Sequence, residues 1–321
     1  EISNAILESV PIPSKGDVRS IPLLTVRGGG GATPFAVVAG SGGGVDPSVA
    51  PQLLAKLPAA GAAAPYWLEV SQVDSAFLTV GVAFDTTPVP PVLRLYLPLL
   101  LDLLLKAPCT LEDGTRLSKD AFVAQLEDDT VSYASGLGLP RAGVQQLASV
   151  SLKLELEGDV TLDKGLAWLR RALYLTHFTK SNVRMTAKKL LSGLPGTFRN
   201  GNAMKSHVHS AMTMDADSAN TVADSPMRQQ PFLQTLMARL DTADGSAHVL
   251  GQLSCLRDLL VVPQRMQFLL AGSVSSLADP YGMLRKAVDP PAARPVPIGD
   301  DDEEEEEEGD DGEEEEEEGD D

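Results

Sequence analysis

The sequence predicts an α+β fold, a two-layer sandwich of a mainly antiparallel sheet with helices on one face, and three observations predict it. Val150 to Glu157 alternates strictly, with Val150, Leu152, Leu154 and Leu156 on one side and Ser151, Lys153, Glu155 and Glu157 on the other. That is the pattern of a strand with one face on a core and one in water. Two apolar β runs, Trp67 to Val73 and Phe77 to Asp85, are separated by the turn-like Asp74-Ser75, as in an antiparallel pair. Beyond Gly158 the apolar period turns helical and stays so until a last strand at Met266 to Val274. Strands grouped ahead of a helical block form a layered α+β domain rather than a doubly wound one.

The elements follow in order. Residues 1–27 read as an extended segment with one candidate strand, Ile21 to Val26. Residues 28–65 hold two glycine clusters, Gly28 to Gly31 and Gly40 to Gly44, among alanines and prolines, a composition that predicts a flexible linker. After the first strand pair, three prolines lead into a helix over Val92 to Lys106. A second helix over Lys119 to Asp128 starts behind Ser118 as its N-cap. The strands Val131 to Leu139 and Val150 to Glu157 precede helices at about 163–178, 182–191, 203–214, 226–240 and 246–261. Gly193 and Pro195 are expected to stop the second of these, and Ser225-Pro226 to start the fourth. The domain is thereby bounded at 66–289, with a disordered acidic tail over 290–321.

The charge is local. Residues 300–321 carry nineteen of the 45 Asp and Glu and none of the 26 Lys and Arg, so residues 1–299 are balanced at 26 of each sign. Six-glutamate blocks repel one another and cannot build a core, which predicts an extended tail that acts as a solubilising spacer or as a ligand for basic partners. A balanced body lacks the basic excess that phosphate contacts need, which disfavours nucleic acid as its partner. The most apolar stretch, Val92 to Leu105, is broken by Arg94, Pro98 and Asp102 and is shorter than a bilayer span of about 17–25 residues, so it predicts a buried helix and no membrane anchor. Two distant cysteines, Cys109 and Cys255, suggest neither a disulfide framework nor a thiolate site, as expected of an intracellular, cytoplasmic protein. The first residue is Glu1 rather than Met, so the gene product is expected to begin upstream.

No chemistry-bearing motif in the sequence is complete. The four histidines, His177, His207, His209 and His248, have no ligand partner at helical spacing, and His207 and His209 lie on a segment where an i, i+2 pair points apart. Neither glycine cluster is followed by Gly-Lys-Ser/Thr, and Gly40-Ser41-Gly42 has Val45 where a third glycine belongs. Asp215-Ala216-Asp217 starts like a calcium loop, but Asn220 and Pro226 stand where glycine and glutamate are needed. The run Glu127, Asp128, Asp129 reads as solvated helix-end charge. No catalytic, cofactor-binding or metal residue is therefore assigned to this chain.

The order of apolar segments carries a resemblance. Phe77 to Asp85, then Asp85-Thr86-Thr87, a proline-rich entry and Leu95-Tyr96-Leu97-Pro98-Leu99-Leu100-Leu101 resemble a passage of the insulinase-like, pitrilysin-type (inverzincin) zinc metallopeptidases. There, a strand ends in a short turn and a helix of the form L-x-P-Y-L-P-L-F follows. The likeness continues through Leu126 to Tyr133, a helix running into a strand, and Leu152 to Gly158 with the helix after it, over about residues 66–275. It implies an insulinase-like peptidase domain of the non-catalytic C-terminal half, a fragment of a zinc metalloendopeptidase that helps enclose and bind peptide substrate. The implied partners are the remaining domains of the parent peptidase and the peptide. Zinc is implied for the parent and not for this segment, which is expected to be inactive alone. The other reading is a non-enzymatic scaffold or interaction module whose acidic tail binds basic partners.

Overall fold

A computed structural model describes residues 23–31, 33–41, 48–58, 64–138 and 146–290. The candidate strand's first residues, the residues around Gly43 and the acidic tail lie outside the described residues. Nine strands are present among those described: β1 Leu23–Gly29, β2 Thr33–Ser41, β3 Trp67–Val73, β4 Phe77–Asp85, β5 Cys109–Thr110, β6 Arg116–Leu117, β7 Ser132–Leu137, β8 Leu147–Glu155 and β9 Met266–Gly272. Seven form one sheet in the order β2-β1-β3-β9-β4-β8-β7, and β5 and β6 make a small separate hairpin. Every neighbouring pair in the large sheet is antiparallel except β3 with β9.

The helices are α1 Val49–Ala55, α2 Leu97–Leu104 behind a 3₁₀ turn at Pro91–Tyr96, α3 Lys119–Asp129, α4 Asp159–Arg170, α5 Lys180–Arg199, α6 Gly201–Thr213, α7 Ala219–Ala223, α8 Pro226–Leu240, α9 Ala243–Leu260 and α10 Pro280–Val288. They cover one face of the sheet. The cross-strand row Val26, Val70, Leu270, Val80 and Leu152 is in register and buried throughout. Onto it α4 lays Gly165, whose missing side chain lets the helix approach; a Cβ there would lie 3.1 Å from both Leu154 and Val80. The alternation of β8 and the α+β layering are as the sequence predicts, but β3 and β4 do not pair with each other as expected: β9 lies between them, parallel to β3 and antiparallel to β4, because its alternating Met266, Phe268 and Leu270 bury in the middle of the sheet. Ser118 caps α3 by accepting from the Ala121 amide at 3.2 Å.

Several elements differ from the sequence reading. Within residues 28–65, read as a linker, the structure holds β2 and α1. The glycines make a turn: Gly29, Gly30 and Gly31 have φ of 106°, 64° and 87°, in the left-handed region that glycine enters without penalty. Their amides are held, Gly30 N–H donating to Tyr66 O and Gly31 N–H to Ala64 O, both at 2.9 Å. The expected helix over 163–178 is α4 plus a π-helical turn, Arg171–Leu175, which brings Thr176 to an isolated bridge with Cys109. Gly193 and Pro195 do not stop α5. Leu190, Leu191 and Leu194 pack on the core and hold the helix through a proline that costs it one backbone hydrogen bond, and the chain turns instead at Asn200, whose side chain caps α6. The short α7 and α10 carry no long apolar repeat, so no pattern in the sequence predicts them.

Candidate functional site: the open face of the sheet

The side of the sheet away from the helices is a second, different surface. Its central row runs Arg27, Glu69, Leu269, Gly81, Ser151 and Ala134 in register across six strands. The row on one side is Thr25, Ser71, Ala271, Thr79, Lys153 and Ser132; the row on the other is Gly29, Trp67, Gln267, Ala83, Ser149 and Gly136. Small and polar side chains dominate; Thr25, Gly81, Ala83 and Ser149 are buried among them, while Glu69, Leu269, Ser151, Lys153, Ser132 and Ala134 reach solvent in part or in full. A period of two makes this automatic: each apolar residue aimed at the helices leaves its neighbour aimed outward.

Local contacts fix the larger groups. The Arg27 guanidinium donates to Gln267 Oε1 at 3.2 Å and lies 5.2 Å from the centre of the Trp67 ring, joining β1, β3 and β9. Trp67 in turn covers Gly30, where a Cβ would lie 2.7 Å from the indole. Thr25 and Ser71 hydroxyls share a hydrogen bond of 3.1 Å, and Lys153 places its ammonium 4.1 Å from the Phe77 ring. The face thus offers hydrogen-bonding groups and one aromatic cluster along a flat, extended surface.

The side chains singled out in the sequence do not meet there. His177 is buried on the helical side, its Nε2 at 2.8 Å from Thr110 Oγ1. Burial, then the guanidiniums of Arg257 and Arg116, hold its pKa below the ordinary value, so it is neutral near pH 7. His207, on α6, pairs with Asp224 at 3.2 Å, while His209 and His248 are exposed elsewhere. Cys109 is buried and its thiol is pushed up to about 11 by desolvation, which keeps it protonated; Cys255 is exposed on α9. Of the helix-end carboxylates, Asp129 accepts from Trp168 Nε1 at 2.8 Å and pairs with Lys164 at 2.9 Å, and Glu127 accepts from the Tyr133 hydroxyl at 3.1 Å. These are packing roles. Among the described residues no group of three or more His, Cys, Asp or Glu is placed to hold a metal ion, and no helix is long and apolar enough to cross a membrane.

The passages that carry the resemblance fall where it implies: Phe77 to Asp85 is β4, Leu126 to Tyr133 runs from α3 into β7, and Leu152 to Gly158 runs from β8 into α4. At the Asp85-Thr86-Thr87 turn, Asp85 accepts from the Thr87 amide at 2.9 Å and buried Thr86 donates to Asn220 Oδ1 at 2.8 Å. The contacts of the open face had no signal in the sequence beyond the β8 alternation, because Arg27 and Gln267 are 240 residues apart.

A one-sided, seven-stranded α+β domain is the class that this fold defines. No family model matches the chain. A sequence relative, the uncharacterized protein C3H1.02c of Schizosaccharomyces pombe, is 22% identical over 235 residues, which are 70% of this chain and 22% of that protein. Among solved structures, a protease from Helicobacter pylori is similar with a TM-score of 0.50 at 12% identity, over 73% of this chain and 51% of that one. A conserved protein from Enterococcus faecalis V583 (TM-score 0.49, 9% identity) and a peptidase M16 inactive domain from Pseudomonas fluorescens (0.47, 12%) are similar over 73% of this chain and 52% of each of theirs. The chain spans about half the length of these solved proteins and about a fifth of the yeast relative. At such identities the likeness concerns the fold.

Proposed function

We propose that this chain is a non-catalytic domain of an insulinase-like zinc metallopeptidase, one wall of a chamber that encloses and binds peptide. The observation that carries the reading is the asymmetry of the sheet: helices seal one face, while the other is a broad, shallow surface of hydroxyls, amides and small side chains. Such a surface can contact an extended peptide through many weak polar contacts without demanding one sequence. The fold likeness to a bacterial protease, of which this chain spans about half, supports it. The peptide-hydrolysing zinc is assigned to another domain of the parent, because this chain's described donors do not converge, and no step of hydrolysis is assigned to its residues.

In the parent protein, Ser151→Trp plants an indole in the middle of the open face without touching the sealed one. It is expected to change KM for peptides by about tenfold or more with little effect on kcat, the signature of altered binding rather than altered chemistry. An unchanged KM in a correctly folded variant rejects the reading, as does a parent reading frame without an inverted zinc motif.

A further inference from the structure

A groove of about 650 Å³ opens among the helices, between the 3₁₀ turn Pro91–Tyr96 and α8. Its floor is aromatic: Tyr96 and Phe232 meet edge to face with ring centres 4.8 Å apart. Three guanidiniums line it, those of Arg94, Arg228 and Arg239. Residues 228, 232, 235 and 239 follow one another at steps of four, three and four, so α8 presents two arginines with Phe232 between them on one face. Arg94 is fixed, its Nε donating to Val89 O at 3.1 Å and its Nη1 to Asp217 O. Arg239 lies close enough to Tyr96 for its charge to act on the Tyr96 hydroxyl, and Arg228 and Arg239 are both exposed.

None of the three is ion-paired with a carboxylate among the described residues. The one acidic side chain in the lining is that of Asp217. A surplus of guanidinium charge therefore borders an aromatic floor. It matches a ligand with an apolar, proline-containing anchor followed by closely spaced carboxylates. Prolines dock on aromatic grooves in an extended form that loses little entropy, and carboxylates form paired hydrogen bonds with guanidinium.

The chain contains such a segment. Pro295-Val296-Pro297-Ile298-Gly299 runs directly into Asp300 to Glu308, and residues 300–321 hold all of the molecule's charge imbalance. Measured from Pro290, the extended chain carries Val296 up to about 20 Å and Glu308 up to about 60 Å, against a folded body about 45 Å across, so the anchor must dock near the end of α10 while the acidic run has reach to spare. We propose that the groove is the docking site of the chain's own segment 295–308, with Val296 to Ile298 on the Tyr96–Phe232 floor and the acidic run along Arg94, Arg228 and Arg239. Acidic ligands from elsewhere would have to displace it. The inference is independent of the peptidase reading.

The test uses the full chain carrying Cys255→Ser and a spin label at Gly309→Cys; Cys109 is buried and protonated and does not compete for the label. At low salt, amide signals of residues 92–96, 227–230 and 232–239 should broaden selectively. That broadening should vanish near 1 M salt, where the screening length is about 3 Å, and in Arg228→Glu/Arg239→Glu, whose positions are exposed. If the double reversal lowers the melting temperature, Arg228→Glu alone is measured and should halve the effect or more. Broadening centred on another surface, none above the unlabelled control, or broadening that survives charge reversal overturns the proposal.

Discussion

The two faces of the sheet are made by the same strands, yet they answer to different physics. On the sealed face Val26, Val70, Leu270, Val80 and Leu152 are each no more than 1% exposed, and Phe268 meets Tyr66 edge to face at 5.1 Å. On the open face Glu69, Leu269, Ser151 and Lys153 keep part of their surface in water. One face supplies the apolar burial that drives folding, at about 25 cal/mol per Å². The other buries only small groups, among them Thr25, Ala83 and Ser149, and can carry polar side chains beside them, as a binding surface needs. The contrast reduces to adjacent residues on β9, where a step of one moves a leucine from core to surface.

The largest effect expected breaks the comparison at that step. Leu270→Ala removes a side chain with 0% exposure from the middle of the sealed row and should cost about 2–5 kcal/mol in urea unfolding. Leu269→Ala, its partly exposed immediate neighbour, should cost clearly less, about 1–2 kcal/mol. Equal costs would mean that the open face is covered in the free chain, and the assignment of a binding surface would then lose its basis.

A second substitution asks whether the edge of the sheet at β1 and β2 is built as firmly as its centre. Gly29 has φ of 106°, and a Cβ there would lie 2.2 Å from the Tyr66 carbonyl oxygen, a backbone atom that cannot swing aside. Gly29→Ala should therefore cost about 1–3 kcal/mol, through left-handed strain together with the clash. Gly31 has a similar φ of 87° but nothing within 4 Å of its Cβ position, so Gly31→Ala isolates the strain and should cost less. If both are silent in thermal unfolding, the glycine run is a linker after all.

That pair also shows what the sequence could and could not disclose. The strands β3, β4, β8 and β9 were legible because their alternation or apolar runs are long and bounded by turn residues. The hairpin of β1 and β2 was not, because a glycine run reads as flexibility by composition, and the partners that make it a turn, Tyr66 and Ala64, lie beyond an alanine-rich stretch. The path of α5 through Pro195 depends on Leu190, Leu191 and Leu194 finding the core, which no local propensity encodes. The basic groove was invisible for a third reason: Arg94 and Arg239 come from elements that only the packing of α8 against the 3₁₀ turn brings together.

The smallest effect concerns the interior of the sealed side, where polar groups are buried as thoroughly as leucines. His177 is 5% exposed beside Thr110, and Arg257, 8% exposed, donates to Thr176 O at 2.7 Å and lies 4.7 Å from the Phe178 ring. Burial and the two arginines disfavour the imidazolium, so the folded chain binds a proton at this site less readily than the unfolded chain, whose histidine titrates near about 6.5. More protons bound by the unfolded state means stability that rises with pH. The contribution of His177 is therefore complete above about pH 7 and falls as the pH drops through about 6.5. Asp224 is shifted upward by burial and acts in the opposite sense, so the comparison of wild type with a His177 variant isolates the histidine. Urea midpoints measured at pH 7.5 and 5.5 should accordingly fall with acidification, and His177→Gln, which can keep a hydrogen bond to Thr110 but cannot take a proton, should flatten that fall. An equal pH dependence in the variant would show that the imidazole is charged in place, and that the polar interior is held together by something other than a neutral histidine between two arginines.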